Sequence, residues 1–177
     1  MPWFKKRSET SARVATDSSP NGVYSGLRHQ ALSTNRTEVG MAAPTTDAPV
    51  WGILMETGYD SVTVTLAALS DGSTSLYFSN GGGLIGGHSH EAVRGANSAF
   101  INQANLSLSD LKHCETFPIP ETAHTVFYVL TDSGIFTGGA LEEDLGYGRH
   151  QLSALFHACH EVISQLRLIS EAIEGDA

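Results

Sequence analysis

Three features of this 177-residue sequence predict an α+β fold: a mainly antiparallel sheet of five to six strands, arranged in two meanders and flanked by helices. Strand-like runs occur in two groups of three, joined by short turn sequences rather than by helical crossovers. A helical pattern separates the two groups. A further helical pattern near the C-terminus carries the strongest apolar stripe in the chain. The expected organisation is a disordered basic tail over residues 1–20 and a single domain over residues 21–177.

The tail is rich in Ser, Thr, Lys and Arg and ends in Ser18-Ser19-Pro20. Proline is tolerated in a first helical turn, so a helix is expected from Asn21 to Ser33, with Val23, Leu27 and Ala31 as its apolar face. Residues 40–49, with Pro44 and Pro49, read as a linker. The first strand is expected over Val50–Glu56. The second covers Ser61–Leu69, with Val62, Val64 and Leu66 facing a core and Ser61, Thr63 and Thr65 facing solvent. Ser70-Asp71-Gly72-Ser73 is a hairpin turn, because Asp-Gly accepts the positive φ that a tight turn needs. The third strand spans Thr74–Ser79.

A glycine-rich stretch, Gly81–Gly87, then leads to a helix from Glu91 to about Asn105, in which Val93, Ala96, Phe100 and Ala104 recur at helical spacing and Ser89 is the expected N-cap. His113–Pro120 reads as an edge strand, since Pro118 and Pro120 cannot donate to a ladder. His124–Thr131 reads as a central strand. Asp132-Ser133-Gly134 turns it into Ile135–Thr137, and a loop of glycines and acids follows to Gly148. The last helix, Arg149–Glu174, aligns Leu152, Leu155, Phe156, Cys159, Val162, Ile163, Leu166 and Ile169 on one face.

Charge is unevenly distributed. Residues 1–36 hold six Lys/Arg against two acids, a net of +4, and residues 37–177 hold four against seventeen, a net of −13. An acidic body is a poor match for phosphate backbones, so no nucleic-acid partner is expected. One short basic cluster anchors weakly, so membrane contact by the tail is not expected either. No apolar run approaches the roughly 20 residues that span a bilayer. Lys5-Lys6-Arg7 is followed by no apolar segment of signal type. Cys114 and Cys159 have no metal or redox spacing and are expected reduced, in a cytoplasmic protein.

The glycine stretch is the first place to look for a ligand. Gly81-x-Gly83-x-x-Gly86 fits a dinucleotide-binding fingerprint, and Gly82-x-x-x-x-Gly87-His88-Ser89 fits a P-loop in which His88 replaces the lysine. Both patterns use glycine so that backbone N–H groups can approach a phosphate at a helix N-terminus. The candidate ligand-binding residues are therefore Gly82, Gly83, Gly86, Gly87, His88, Ser89 and His90. Their context favours a structural loop instead: the parallel strand, the ribose-binding acid and the phosphate-binding lysine are all missing. Gly87-His88-Ser89-His90-Glu91 also falls one glycine short of a hydrolase elbow.

His150, His157 and His160 share one face of the last helix, with His88 and His90 at the loop end. None has zinc-site spacing, so the reading assigns no metal, no cofactor and no catalytic residue. If partly buried, such histidines make an interface respond to mild acid. Glu142-Glu143-Asp144 reads as a solvated run that complements a helix N-terminus. Ala92, Gly95 and Ala99 form a strip of small residues, expected to pack inside the molecule.

Asp71-Gly72 between early strands, the helix from Glu91, the strands from His113 to Thr137 and the closing helix together resemble the roadblock family, within the wider profilin-like group. The strand at Val50–Glu56 is additional to that family's plan. The resemblance covers about Val62 to Arg167 and lies in element order. It implies a meander over His113–Thr137 and a dimerising module without catalysis. The function expected is thus a protein-interaction, scaffold or regulatory module with protein partners, including further copies of itself. The alternative is a regulator that binds a small ligand or nucleotide through residues 81–89.

Overall fold

A computed structural model describes residues 20–43, 45, 47–85 and 87–175. The expectations for residues 1–19, tail and membrane contact included, lie outside the described residues, as does Gly86. The α+β architecture is as expected: one antiparallel sheet with helices on both faces.

The strand β1 (Val50–Gly58) occupies the middle of the sheet, and all nine of its residues are buried. Its sequence, Val-Trp-Gly-Ile-Leu-Met-Glu-Thr-Gly, is nearly all apolar because both of its faces are covered. On one side it pairs with β2 (Thr63–Leu69), which turns through Asp71-Gly72 into β3 (Thr74–Phe78). On the other it pairs with β6 (His124–Thr131), which turns into β7 (Gly134–Leu141). With β4 (Gly83–Ile85) beside β3 and β5 (Lys112–Cys114) beside β7, the spatial order is β4-β3-β2-β1-β6-β7-β5.

Seven strands replace the expected five to six, because the glycine stretch contains one. The second group of strands is also not a consecutive meander. β5 stops at Cys114 and pairs with β7 rather than with β6. Residues 115–123 then carry the chain back to the far end of β6, since Pro118 and Pro120 cannot extend a ladder. β7 runs four residues further than expected, through Gly138 and Gly139. Gly139, expected in a loop, lies so close to β6 that a Cβ there would sit 2.4 Å from the Thr125 carbonyl oxygen.

Two helices cover one face. In α2 (Glu91–Ser107), Val93, Phe100, Ile101 and Ala104 point into the core. In α4 (Ser153–Gly175), Leu152 at its entry and Leu155, Phe156, Cys159, Val162 and Leu166 do the same, with Ile163 and Ile169 half-buried, as the stripe predicts. Together they enclose Ile53, Met55, Leu66, Leu76, Phe127 and Val129. A short helix, α3 (Glu142–Gly146), links β7 to this layer and buries Leu145. The acidic run thus opens α3, and the last helix starts four residues later than expected.

The opposite face is covered by α1 (Pro20–Ser33) and by the 115–123 segment. Tyr24, Ala31 and Leu32 are buried against Trp51, Leu54, Ala67, Tyr77, Tyr128 and Leu130. This corrects two expectations. Val23 is 53% exposed, so the buried stripe of α1 centres on Tyr24 instead. Thr63 and Thr65 of β2 are buried rather than in solvent, and the Thr65 hydroxyl meets Tyr24 of α1. The alternation of β2 is real, but its polar side meets polar partners from the helix. Among the described residues no helix is long and apolar enough to cross a membrane.

Candidate functional site

The glycine stretch begins as a turn. Gly81 and Gly82 adopt φ of 107° and 82°, the Gly81 N–H bonds the Phe78 carbonyl, and the Phe78 N–H bonds the Gly82 carbonyl. The chain then returns along β3, with Gly83, Leu84 and Ile85 opposite Tyr77, Leu76 and Ser75. A Cβ on Gly83 would lie 2.4 Å from the Leu76 carbonyl oxygen and 3.0 Å from Tyr77 Cα. Glycine is required there by the close approach of two strands. The order is therefore strand, turn, edge strand, then helix, and not the strand, loop, helix of a phosphate cradle.

Gly87, His88 and Ser89 form one turn of 3-10 helix before α2. His88, Ser89 and His90 are exposed. The N-cap of α2 is His90 rather than Ser89, and the His90 side chain makes no capping hydrogen bond. The guanidinium of Arg94 donates to the His88 carbonyl oxygen at 2.8 Å, which ties the turn to the helix. The candidate ligand residues thus divide between a hairpin turn, a sheet edge and an exposed helical turn.

The other expected sites are dispersed. His157 is exposed, and His150 Nδ1 lies 3.2 Å from the Leu152 N–H. His160 packs on Phe156, ring centroids 4.2 Å apart, and its Nε2 is buried with no partner among the described residues. Burial lowers the pKa of this imidazole, against an upward pull from Glu142. Among the described residues no three His, Cys, Asp or Glu side chains come together as a metal site. Cys114 and Cys159 are unpaired thiols, and complete burial raises the Cys159 pKa well above its ordinary value.

A polar cluster that the sequence reading missed lies between α1 and the sheet. Glu56 is fully buried in β1. Arg28 of α1 grips it with both prongs, Nε to Oε1 at 2.7 Å and Nη2 to Oε2 at 2.8 Å. Thr65 Oγ1 donates to Oε1 at 3.2 Å, and the Tyr24 hydroxyl lies 3.0 Å from Thr65 Oγ1. Arg28 Nη2 also donates to the Phe117 carbonyl oxygen at 2.8 Å, and the Tyr128 hydroxyl donates to that of Pro118 at 2.6 Å. One guanidinium therefore joins α1, the central strand and the 115–123 segment. Burial pulls its pKa down, and the hydrogen bonds and charge of Glu56 more than restore it. The available signal was a single acid inside an apolar strand and a Tyr24/Arg28 pair one helical turn apart.

This cluster fastens the molecule together and leaves little for chemistry, because the carboxylate and guanidinium satisfy each other. Burial, then the nearby charge of Glu56, raises the Tyr24 and Tyr128 hydroxyls to about 12. A phenol whose pKa is raised on folding supports stability fully below its unfolded value, near 10, and that support is lost as pH rises through its folded value. Urea unfolding midpoints should therefore fall as pH rises from about 10 to about 12, with a smaller fall in Tyr24→Phe.

The two outer strands of the sheet differ. β5 carries Lys112 and is followed by Pro118 and Pro120, features that discourage edge pairing. The stretch from Asn80 to Gly87 has no charge and no proline, and Ile85 on β4 is 58% exposed. The Ala92, Gly95 and Ala99 strip of α2 faces solvent rather than the interior, and nothing lies within 4 Å of a Cβ placed on Gly95. No protein-family model, curated protein or solved structure matches the chain.

Proposed function

We propose that this protein is a non-catalytic interaction module that self-associates by pairing β4 with β4 of a second copy. The observation that carries the proposal is the edge of β4, unpaired among the described residues, uncharged and with Ile85 exposed, in a sheet whose other edge is guarded. An antiparallel pair of identical strands is self-complementary and closes as a two-fold dimer. A three-residue ladder is short, so further contact is needed. Ile85 supplies apolar surface, and the small side chains of Ala92, Gly95 and Ala99 permit close approach by another chain.

The expected role is that of a scaffold or regulator whose partners are proteins. A cytoplasmic setting belongs to the same proposal, supported by the two unpaired thiols of Cys114 and Cys159. Multi-angle light scattering at tens of micromolar should give about twice the chain mass of 18.8 kDa. Ile85→Lys, which places a charge on the edge, should give the monomer with an unchanged circular dichroism spectrum. A wild-type monomer at that concentration would reject the proposal.

A further inference from the structure

A second feature, distinct from the β4 edge, has the chemistry of a small-molecule site. A cleft of about 650 Å³ opens between α2, the β2–β3 turn and the chain leading into β1. That size suits a small metabolite. Its apolar wall includes Met41, Val50 and Ile101, all buried residues. Its other wall is polar. Asp71 and Arg94 both line it, yet among the described residues neither is in an ion pair. Each makes a hydrogen bond to backbone only: Asp71 Oδ1 accepts from the Ser73 N–H at 2.8 Å, and Arg94 donates to His88. The Arg94 stem runs beside Gly72, its Cγ 3.6 Å from where a Cβ would stand, while its guanidinium reaches the His88 carbonyl oxygen.

Asn97 adds an independent sign. It lines the same cleft, is 2% exposed, and donates through Nδ2 to the Leu69 carbonyl oxygen at 2.8 Å. That bond fixes the amide orientation. Its Oδ1 is then a buried acceptor without a donor among the described residues. A buried acceptor left unpaired is costly, so the position calls for a donor from beyond the described residues.

We infer that this cleft binds a zwitterionic solute of the α-amino-acid class with an apolar side chain. The carboxylate would meet Arg94, the ammonium would meet Asp71 and Asn97 Oδ1, and the side chain would lie against Met41, Val50 and Ile101. Both charged groups bond only backbone among the described residues, so neither charge is neutralised by a partner of opposite sign there.

The test is an amide-resolved NMR titration of the full chain with L-leucine, using N-acetyl-L-leucine and L-leucinamide as probes that each lack one charge. L-leucine should shift the amides of residues 70–73 and 94–102 saturably. Each control should bind at least ~10-fold more weakly, the loss of one charged contact. Arg94→Gln, an exposed position whose fold is checked by its thermal midpoint, should weaken L-leucine at least ~10-fold. No saturable shift at millimolar L-leucine, equal binding of either control, or unchanged binding by Arg94→Gln would each overturn the inference.

Discussion

Arg28→Met should lower the free energy of unfolding by about 3–5 kcal/mol, the loss expected when one partner of a buried ion pair is removed. The size follows from what stays behind. Glu56 is wholly buried, and among the described residues only Arg28 forms an ion pair with it. Without the guanidinium, the carboxylate must either remain charged in a poorly solvated site or take up a proton. Arg28→Met with Glu56→Gln should recover part of the loss, because it removes the stranded charge as well. The lost bond to the Phe117 carbonyl oxygen would remain, and should appear as faster amide exchange in residues 115–123. Equal stability of Arg28→Met and wild type in urea unfolding would show that the pair does not fasten α1 to the sheet.

Gly83→Val should cost about 1–3 kcal/mol, the range for forcing extra atoms into a packed site. The new Cβ meets backbone, the Leu76 carbonyl oxygen and Tyr77 Cα, and backbone has little room to yield. The strain is relieved most simply by releasing β4 from β3, which dissolves the proposed pairing edge. The variant should thus be folded, less stable and monomeric by light scattering. The same substitution separates the two functional readings of the glycine stretch. With ATP or NAD at millimolar concentration, the wild type should show no thermal shift. A shift that Gly83→Val abolished would favour the loop as a ligand site.

Several parts of the fold were legible because they depend on local chemistry. The α4 stripe needed only a period of 3.6 residues, and the Asp71-Gly72 hairpin needed only a residue that tolerates positive φ. The partnering of strands was less legible. β5 reads as an edge strand from its prolines, but whether it pairs with β6 or β7 depends on where residues 115–123 travel. That path is set by Phe117 packing on Tyr128 and by Arg28, far away in sequence. Thr65 looked like a solvent-facing residue because its partners, Tyr24 and Glu56, come from other elements. The glycine stretch misled most. Glycine serves a phosphate cradle and a tight β-hairpin through the same lack of a Cβ, and composition cannot separate them. Ile85 was the residue to notice, since an exposed isoleucine has no place in a phosphate loop but suits an edge strand.

Amide hydrogen exchange, followed as a function of protein concentration, tests the central claim most directly. If β4 pairs with a second copy, protection over Gly83–Ile85 should rise from the low micromolar range to tens of micromolar, and Ile85→Lys should remove the rise. Exchange in β4 that does not depend on concentration, or protection that grows on another element instead, would contradict the assignment of this edge as the surface through which the protein associates.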